Sequence, residues 1–229
     1  MKLSVLIPCY NEERYILTVI DNIFKNNIKK DLEIIITDDC SVDNTKKKLE
    51  EIKDPRVKIF YNEKNMGKGY CIRKCLENST GDIILIQDAD LEYDPAEYDL
   101  LLSPIINHNA DVVYGSRFLS HGQKRVGYFW HTLGNKILTL LSNILSNINL
   151  TDMEVCYKLF KSEIIKNIRL KENRFGFEPE ITAKLAKKKI KIYEVGINYH
   201  GRSYSEGKKI NWKDGFSAIR CIIQYNLFD

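Results

Sequence analysis

The sequence predicts an α/β fold, a single domain whose mostly parallel central sheet is flanked by helices, and three observations carry that prediction. Short apolar runs alternate with longer segments of helical periodicity through the first half of the chain, the pattern of βαβ units. Polar and acidic residues gather just after these runs, at Pro8-Cys9-Tyr10-Asn11-Glu12, Asp38-Asp39-Cys40-Ser41, Asp88-Ala89-Asp90 and Gly115-Ser116-Arg117. The carboxyl ends of parallel strands are where such folds bind ligands. Finally, 229 residues with 44% hydrophobic and 29% charged content suffice for one sizeable core and argue against a disordered or fibrous chain.

The elements follow in order. Strands are expected at residues 3–7, 32–37, 57–61, 83–87 and 111–114, with helices between them at 12–26, 43–52, 68–78 and 95–107. Gly81-Asp82 before the fourth strand and Asp94-Pro95 after it supply turn chemistry. After Arg117 the pattern changes: a polar, basic stretch at 120–126 leads into a long amphipathic helix at 128–150. Trp130, Leu133, Ile137, Leu140, Leu141, Ile144, Leu145 and Ile148 recur there at helical spacing. The favoured expectation is that this stripe packs on the core. The alternative is an interfacial helix with Tyr128, Phe129 and Trp130 at the level of lipid headgroups. A strand at 156–160, a helix at 179–188, a strand at 191–195 and a helix at 212–225 complete the chain, with the polar loop 201–209 as a candidate lid.

Composition narrows the partners. A net charge of +4 is mild, and Lys46-Lys47-Lys48 and Lys187-Lys188-Lys189 fit solvated helix faces better than a nucleic-acid groove, although weak attraction to anionic lipid is compatible with it. Six cysteines without Cys-x-x-Cys or zinc spacing suggest reduced, buried thiols. The four histidines have no metal spacing either. No apolar run is long enough for a signal peptide or a membrane span, so a cytoplasmic location is expected, with peripheral contact at the inner membrane face as a variant.

The chemistry centres on Asp88-Ala89-Asp90, two carboxylates dropped just past a buried strand. Mg²⁺ or Mn²⁺ favours such oxygens and keeps positions open for water and phosphate; Glu92 offers a third oxygen. No glycine-rich phosphate loop follows the first strand, so a bound diphosphate needs another counter-charge, which a metal provides.

Several motifs taken together carry a resemblance: residues 5–12, Asp38-Asp39-x-Ser41-x-Asp43, Asn65-x-Gly67-Lys68-Gly69, residues 87–95, Gly115-Ser116-Arg117, Thr151-Asp152-Met153, residues 175–180 and residues 199–202. In this order the chain resembles family-two glycosyltransferases of GT-A (Rossmann-like) fold, and within them the dolichyl-phosphate mannose synthase and polyprenyl-phosphate glycosyltransferase group. The resemblance implies a nucleotide diphosphate sugar, GDP- or UDP-linked, as donor. It implies that Asp39 grips the base, that Pro8, Tyr10, Glu12, Asp38 and Ala89 line the same pocket, and that Lys68 offsets diphosphate charge. Asp88 also lies near the ribose, and Asp88, Asp90 and Glu92 hold the metal.

Two acceptors remain open. A polyprenyl phosphate is already ionised and needs no strong base, and Arg117, Arg125 and Arg202 are candidates to clamp it because guanidinium donates bidentately to phosphate. A saccharide hydroxyl needs a base, and Asp152 stands where the family places one. Glu178 and His200 are assigned to the acceptor side, and Asp90, Asp152 and Arg202 to catalysis. His131, Thr132 and Asn135 stand where relatives carry Arg and Ser, and no carboxyl-terminal membrane helix follows, both departures from the lipid-phosphate pattern. By this reading residues 1–117 form the donor half and 118–229 the acceptor half. A nucleotide-sugar-binding protein without turnover is the non-enzymatic alternative.

Overall fold

The structure is a computed structural model that describes residues 1–27, 31–119, 125–202 and 212–229. The described residues form one seven-stranded sheet of order β3-β2-β1-β4-β6-β5-β7. Its strands are β1 (Leu3–Cys9), β2 (Leu32–Asp38), β3 (Val57–Tyr61), β4 (Ile83–Ile86), β5 (Val112–Ser116), β6 (Lys158–Lys161) and β7 (Ile192–Gly196). Four of the six pairings are parallel; β6 runs antiparallel to both β4 and β5. β2 and β4 are buried throughout and β1 nearly so, as expected of strands covered on both faces.

The helices are α1 (Ile16–Asn26), α2 (Thr45–Glu50), α3 (Lys68–Glu77), α4 (Tyr98–His108), α5 (Phe129–Ser146), α6 (Ser162–Lys166), α7 (Phe177–Lys187) and α8 (Trp212–Leu227). α1 buries Ile16, Val19, Ile20 and Ile23, the i, i+3, i+4, i+7 face of an amphipathic helix. It begins four residues later than predicted because Asn11 adopts a left-handed φ of 49° and Glu12 donates its N–H to Thr45 Oγ1 at 2.9 Å, so this stretch forms a turn. α2 likewise starts after Asp43, whose carboxylate takes the Thr45 N–H at 2.9 Å and closes a turn ahead of the helix. A short 3-10 turn at Pro95–Glu97 precedes α4. The sequence did not foreshadow the five-residue α6.

The long helix departs from the favoured expectation. Its buried residues are Thr139 and Ser142, with Leu138, Leu141 and Leu145 half-buried beside them, whereas Trp130 is 77% exposed and Ile137, Leu140 and Ile144 face solvent. The apolar residues span too wide an arc for all of them to reach α7 and α8, the helices against which α5 packs. The helix ends at Ser146, where Asn147 takes the left-handed C-terminal conformation at φ 52°.

Candidate active site

β1, β2 and β4 end side by side and deliver their following residues to one cleft of about 390 Å³. Pro8, Tyr10, Glu12, Asp39, Lys68, Asp88, Ala89, Asp90, Glu92 and Arg202, all expected from the sequence, line it. Asp38 does not. Successive side chains of a strand alternate, and Asp38 turns to the opposite side, where it accepts from the Ser41 N–H at 3.2 Å and hydroxyl at 2.5 Å and closes the turn.

The Asn65-x-Gly67-Lys68-Gly69 motif builds one wall. Gly67 sits at φ 98°, and a Cβ there would lie 2.5 Å from the Asn173 carbonyl oxygen; a Cβ on Gly69 would lie 2.4 Å from that of Glu172. The missing side chains let residues 172–174 lie directly against the start of α3, where Tyr70 N donates to Asn173 O at 3.0 Å. This contact carries Arg174 and Phe175 into the cleft lining. Lys68, the first residue of α3, places Nζ 3.0 Å from Asp88 Oδ1 and 3.0 Å from Glu178 Oε1. Burial would lower its pKa, but Asp88, Cys156 and Glu178 outweigh that and hold the ammonium charged. Burial raises the Asp88 pKa, yet Lys68 overcomes this and keeps the carboxyl below its usual range.

Arg202 closes the other side. Its guanidinium bonds to Glu12 at 3.2 Å through two nitrogens and to Asp90 through Nη2, and its backbone N–H donates to Glu92 Oε1 at 2.6 Å. Glu92 also accepts from the Tyr199 hydroxyl at 2.9 Å. Asp90 is pushed up to about 8, by burial first and then by the charges of Asp88 and Glu92, which exceed the relief from Arg202. Such a cleft carries more negative charge than its own cations neutralise, and hard carboxylate oxygens of this kind suit Mg²⁺ or Mn²⁺. Among the described residues, however, no three acidic, histidine or cysteine side chains converge as a ready ligand set. Asp88 is turned to Lys68, Asp90 to Arg202 and Glu92 to Tyr199 and Arg202, which explains the lack of convergence.

A second cleft, about 590 Å³, shares Tyr199 and Arg202 with the first and continues over Arg117, Arg125, Tyr128, Phe129 and His131. Arg125 donates to the Gly201 carbonyl at 3.0 Å. Arg117 grips Asp152 through Nε and Nη2, each at 2.7 Å, and through its backbone N–H at 3.0 Å. Burial lowers the Arg117 pKa, but Asp152 more than restores it. Asp152 therefore stands as the anchor of Arg117, 0% exposed, rather than as a carboxylate open to an incoming hydroxyl. Its position between Thr151, whose N–H and hydroxyl bind Glu194, and the buried Met153 fixes it there.

Two expected acceptor residues fall outside both linings. Glu178 lies buried behind the first cleft, where it backs Lys68. His200 is exposed, and it is its backbone N–H that matters locally, donating to Glu92 O at 3.0 Å; a residue between two cleft-facing neighbours on an extended chain points away from them. The 201–209 lid lies mostly outside the described residues, as does His121.

Sequence reasoning missed the buried charge set behind the cleft. Lys158 is fully buried and donates to the carbonyls of Met153 (3.0 Å) and Val155. Glu154 is pushed up to about 8 by burial and by Glu178. Among the described residues Glu154 Oε1 and Glu178 Oε2 find no hydrogen-bond partner. Only the proximity of two acids and a lysine in three dimensions reveals this set. Cys71, which lines the cleft one turn into α3, was legible only as a helix-face cysteine.

Comparison with known proteins accords with this geometry. The model of glycosyl transferase family 2 matches residues 4–169. The chain is 28% identical to a dolichol-phosphate mannosyltransferase of Pyrococcus furiosus over 92% of its own length and 61% of that protein's. It is 28% identical to a UDP-N-acetylglucosamine--dolichyl-phosphate N-acetylglucosaminyltransferase of Methanococcus voltae over 94% of this chain and 92% of that one. The glucosyl-3-phosphoglycerate synthase of Mycobacterium tuberculosis, crystallised with Mn²⁺, uridine diphosphate and phosphoglyceric acid, shares the fold at a TM-score of 0.76, with 18% identity over 100% of this chain and 79% of that one. With strand ends, acidic pair and family pattern in agreement along most of its length, the chain belongs to glycosyl transferase family 2 and is a glycosyltransferase of GT-A fold.

Proposed function

We propose that the protein transfers a sugar from a nucleotide diphosphate sugar to a polyprenyl phosphate at a membrane surface, with inversion at the anomeric carbon. The observation that carries the acceptor assignment is the closed Arg117–Asp152 pair. Both oxygens of the buried Asp152 are bound by one guanidinium, which leaves the family's base position without a free carboxylate and suits an acceptor that is already ionised. Relatives named for dolichyl-phosphate transfer support the same choice.

In this reading residues 1–117 supply most of the donor site and 118–229 most of the acceptor site, with Arg202 crossing to the donor and Arg117 to the acceptor. Asp39 takes the base, Asp88 and Asp90 would hold Mg²⁺ or Mn²⁺, and Lys68 and Arg202 face the diphosphate. A divalent cation, when bound, neutralises charge on the departing diphosphate. Arg202, which now neutralises Glu12 and Asp90, would compete with a cation held by Asp90, and its guanidinium would then be free to face the diphosphate. Arg117 and Arg125 orient the acceptor phosphate in the adjoining cleft. Its oxygen attacks the anomeric carbon in line as the bond from that carbon to the β-phosphate oxygen breaks, and no proton has to move.

The second cleft opens beside Val126, Tyr128, Phe129 and Trp130, all exposed and apolar or aromatic. With Ile137, Leu140 and Ile144 further along α5, this surface suits shallow insertion among lipid headgroups while the phosphate of the lipid reaches Arg117. None of the described helices is long and apolar enough to cross a membrane.

The test is nucleotide diphosphate release from UDP- and GDP-sugars with Mn²⁺ or Mg²⁺, with and without a short polyprenyl phosphate, beside Asp90→Ala. Release that requires the lipid, the cation and Asp90 bears the proposal out. Metal-dependent release that ignores the lipid but responds to a saccharide contradicts it.

A further inference from the structure

The carboxylate that faces the nucleobase has only one strong acceptor position left, and that decides which base it can take. A carboxylate offers about four lone-pair sites on its two oxygens. On Asp39, Oδ1 accepts from Asn62 Nδ2 at 2.9 Å and from the Met66 N–H at 2.7 Å, and Oδ2 accepts from the Gly67 N–H at 2.7 Å. One site, on Oδ2, is left; the Cys71 thiol lies beside the carboxylate, whose charge adds to burial in raising the thiol's pKa. Asn62 and Met66, the donors to Oδ1, are not part of the cleft lining, whereas Gly67, the donor to Oδ2, and Cys71 are, so the open site on Oδ2 is the one that faces the ligand. A thiol is a weak donor and yields its place to an N–H.

Because Gly67 is fixed by its φ of 98° and by the Asn173 backbone, and Asn62 is held by Lys74 on its own Oδ1 at 3.0 Å, the three N–H donors cannot retreat to free more of the carboxylate. Guanine presents two adjacent donors, N1–H and the N2 amine, which together need both carboxylate oxygens. Uracil and thymine present one, N3–H, flanked by carbonyls. We infer that Asp39, with three of its acceptor sites already held by Asn62, Met66 and Gly67, restricts the donor to a sugar carried on a pyrimidine imide diphosphate, a uridine or thymidine diphosphate, and rejects the guanosine form.

The inference rests on the donor-site reading above and deepens it. A guanine seated here buries one N–H without a partner, which lowers its affinity at least about tenfold. The same edge occurs in uracil and thymine; the two differ in the ring methyl and, for the common nucleotides, in the ribose 2′-hydroxyl.

The experiment is calorimetric titration of the full chain with UDP, dTDP and GDP in the presence of Mn²⁺, repeated with EDTA. UDP or dTDP binding at least about tenfold tighter than GDP is expected, and the stronger of the two identifies the sugar carrier. GDP binding as tightly as either pyrimidine nucleotide, with Mn²⁺ dependence, overturns the specificity while leaving the donor site intact. Absence of metal-dependent binding by all three overturns the donor-site reading and the inference with it. Cys71→Ser adds an internal check, because a hydroxyl donates to the open site more strongly than the thiol: UDP affinity is expected to fall by about threefold or more, and an unchanged affinity contradicts the assignment of that site.

Discussion

Arg117 and Asp152 form a closed pair: the guanidinium meets both carboxylate oxygens at 2.7 Å, the Arg117 backbone N–H adds a third bond at 3.0 Å, and Asp152 has no exposure to solvent. An arginine held in this way has its guanidinium fixed in one orientation at the wall of the cleft it lines.

The pair separates a positioning role from a catalytic one. Asp152→Ala leaves Arg117 buried without its counter-charge and is expected to lower unfolding free energy by about 3 kcal/mol, measurable by urea denaturation. Asp152→Asn keeps the shape. Transfer to a lipid phosphate by that variant is expected to show a raised KM for the acceptor with kcat reduced less than about tenfold. A kcat loss on the order of a hundredfold or more at unchanged KM is the signature of a lost general base and contradicts the positioning role.

Asp90 and Arg202 hold each other in the donor cleft. Asp90→Ala is expected to abolish Mn²⁺-dependent nucleotide binding, read by calorimetry, and to lower transfer by about a hundredfold or more. Arg202→Ala removes the cation that competes for the same carboxylates. It is expected to tighten Mn²⁺ binding in the absence of nucleotide while slowing transfer; weaker Mn²⁺ binding in this variant argues against displacement of Arg202.

How much of this was legible in the sequence depended on which property carried the signal. The donor cleft was legible because parallel strands end together and β4 is an uninterrupted apolar run that stops two residues before Asp88. The parity of Asp38 and Asp39 was open to a period-two argument, yet treating the two adjacent acids as one motif obscured it. The reversed direction of β6 leaves no trace in its composition, since the four residues Lys158–Lys161 read alike in either sense. In α5 the spacing showed a helix and its apolar residues but not which arc of them the neighbouring helices would cover. The buried set joins Glu154 and Lys158, four residues apart, to Glu178 from a separate segment, so no local pattern could announce the meeting.

Acid stability follows from Glu33 at the opposite end of the sheet. Burial raises its pKa, but Lys58, the Thr80 N–H, Ser4 and Lys2 outweigh this and hold it at about 2, below its ordinary value of 4.5. A depressed folded-state pKa stabilises the native protein above the unfolded value, and that contribution is lost as pH falls from 4.5 toward 2. Glu33→Gln is expected to destabilise the protein by about 2 kcal/mol at pH 7 and to flatten the stability profile between pH 5 and pH 2.5, read by denaturant titration at each pH. A parallel profile for the variant and the parent contradicts this.

The exposed aromatic start of α5 predicts membrane contact. Phe129→Ser with Trp130→Ser is expected to leave the melting temperature within a few degrees, because both side chains face solvent. Association with vesicles containing anionic lipid, measured by sedimentation, is expected to fall at least about tenfold. Equal sedimentation of variant and parent assigns this surface to another partner.

The most direct test of the central claim is the fate of the sugar: a radiolabelled nucleotide sugar is incubated with Mn²⁺ and a short polyprenyl phosphate, and the lipid phase is extracted. Label in an alkali-stable, acid-labile lipid phosphodiester, absent with Asp90→Ala, is the predicted result. Label that stays in the aqueous phase with the lipid yet moves to a saccharide hydroxyl contradicts the account and returns the acceptor cleft to a different chemistry.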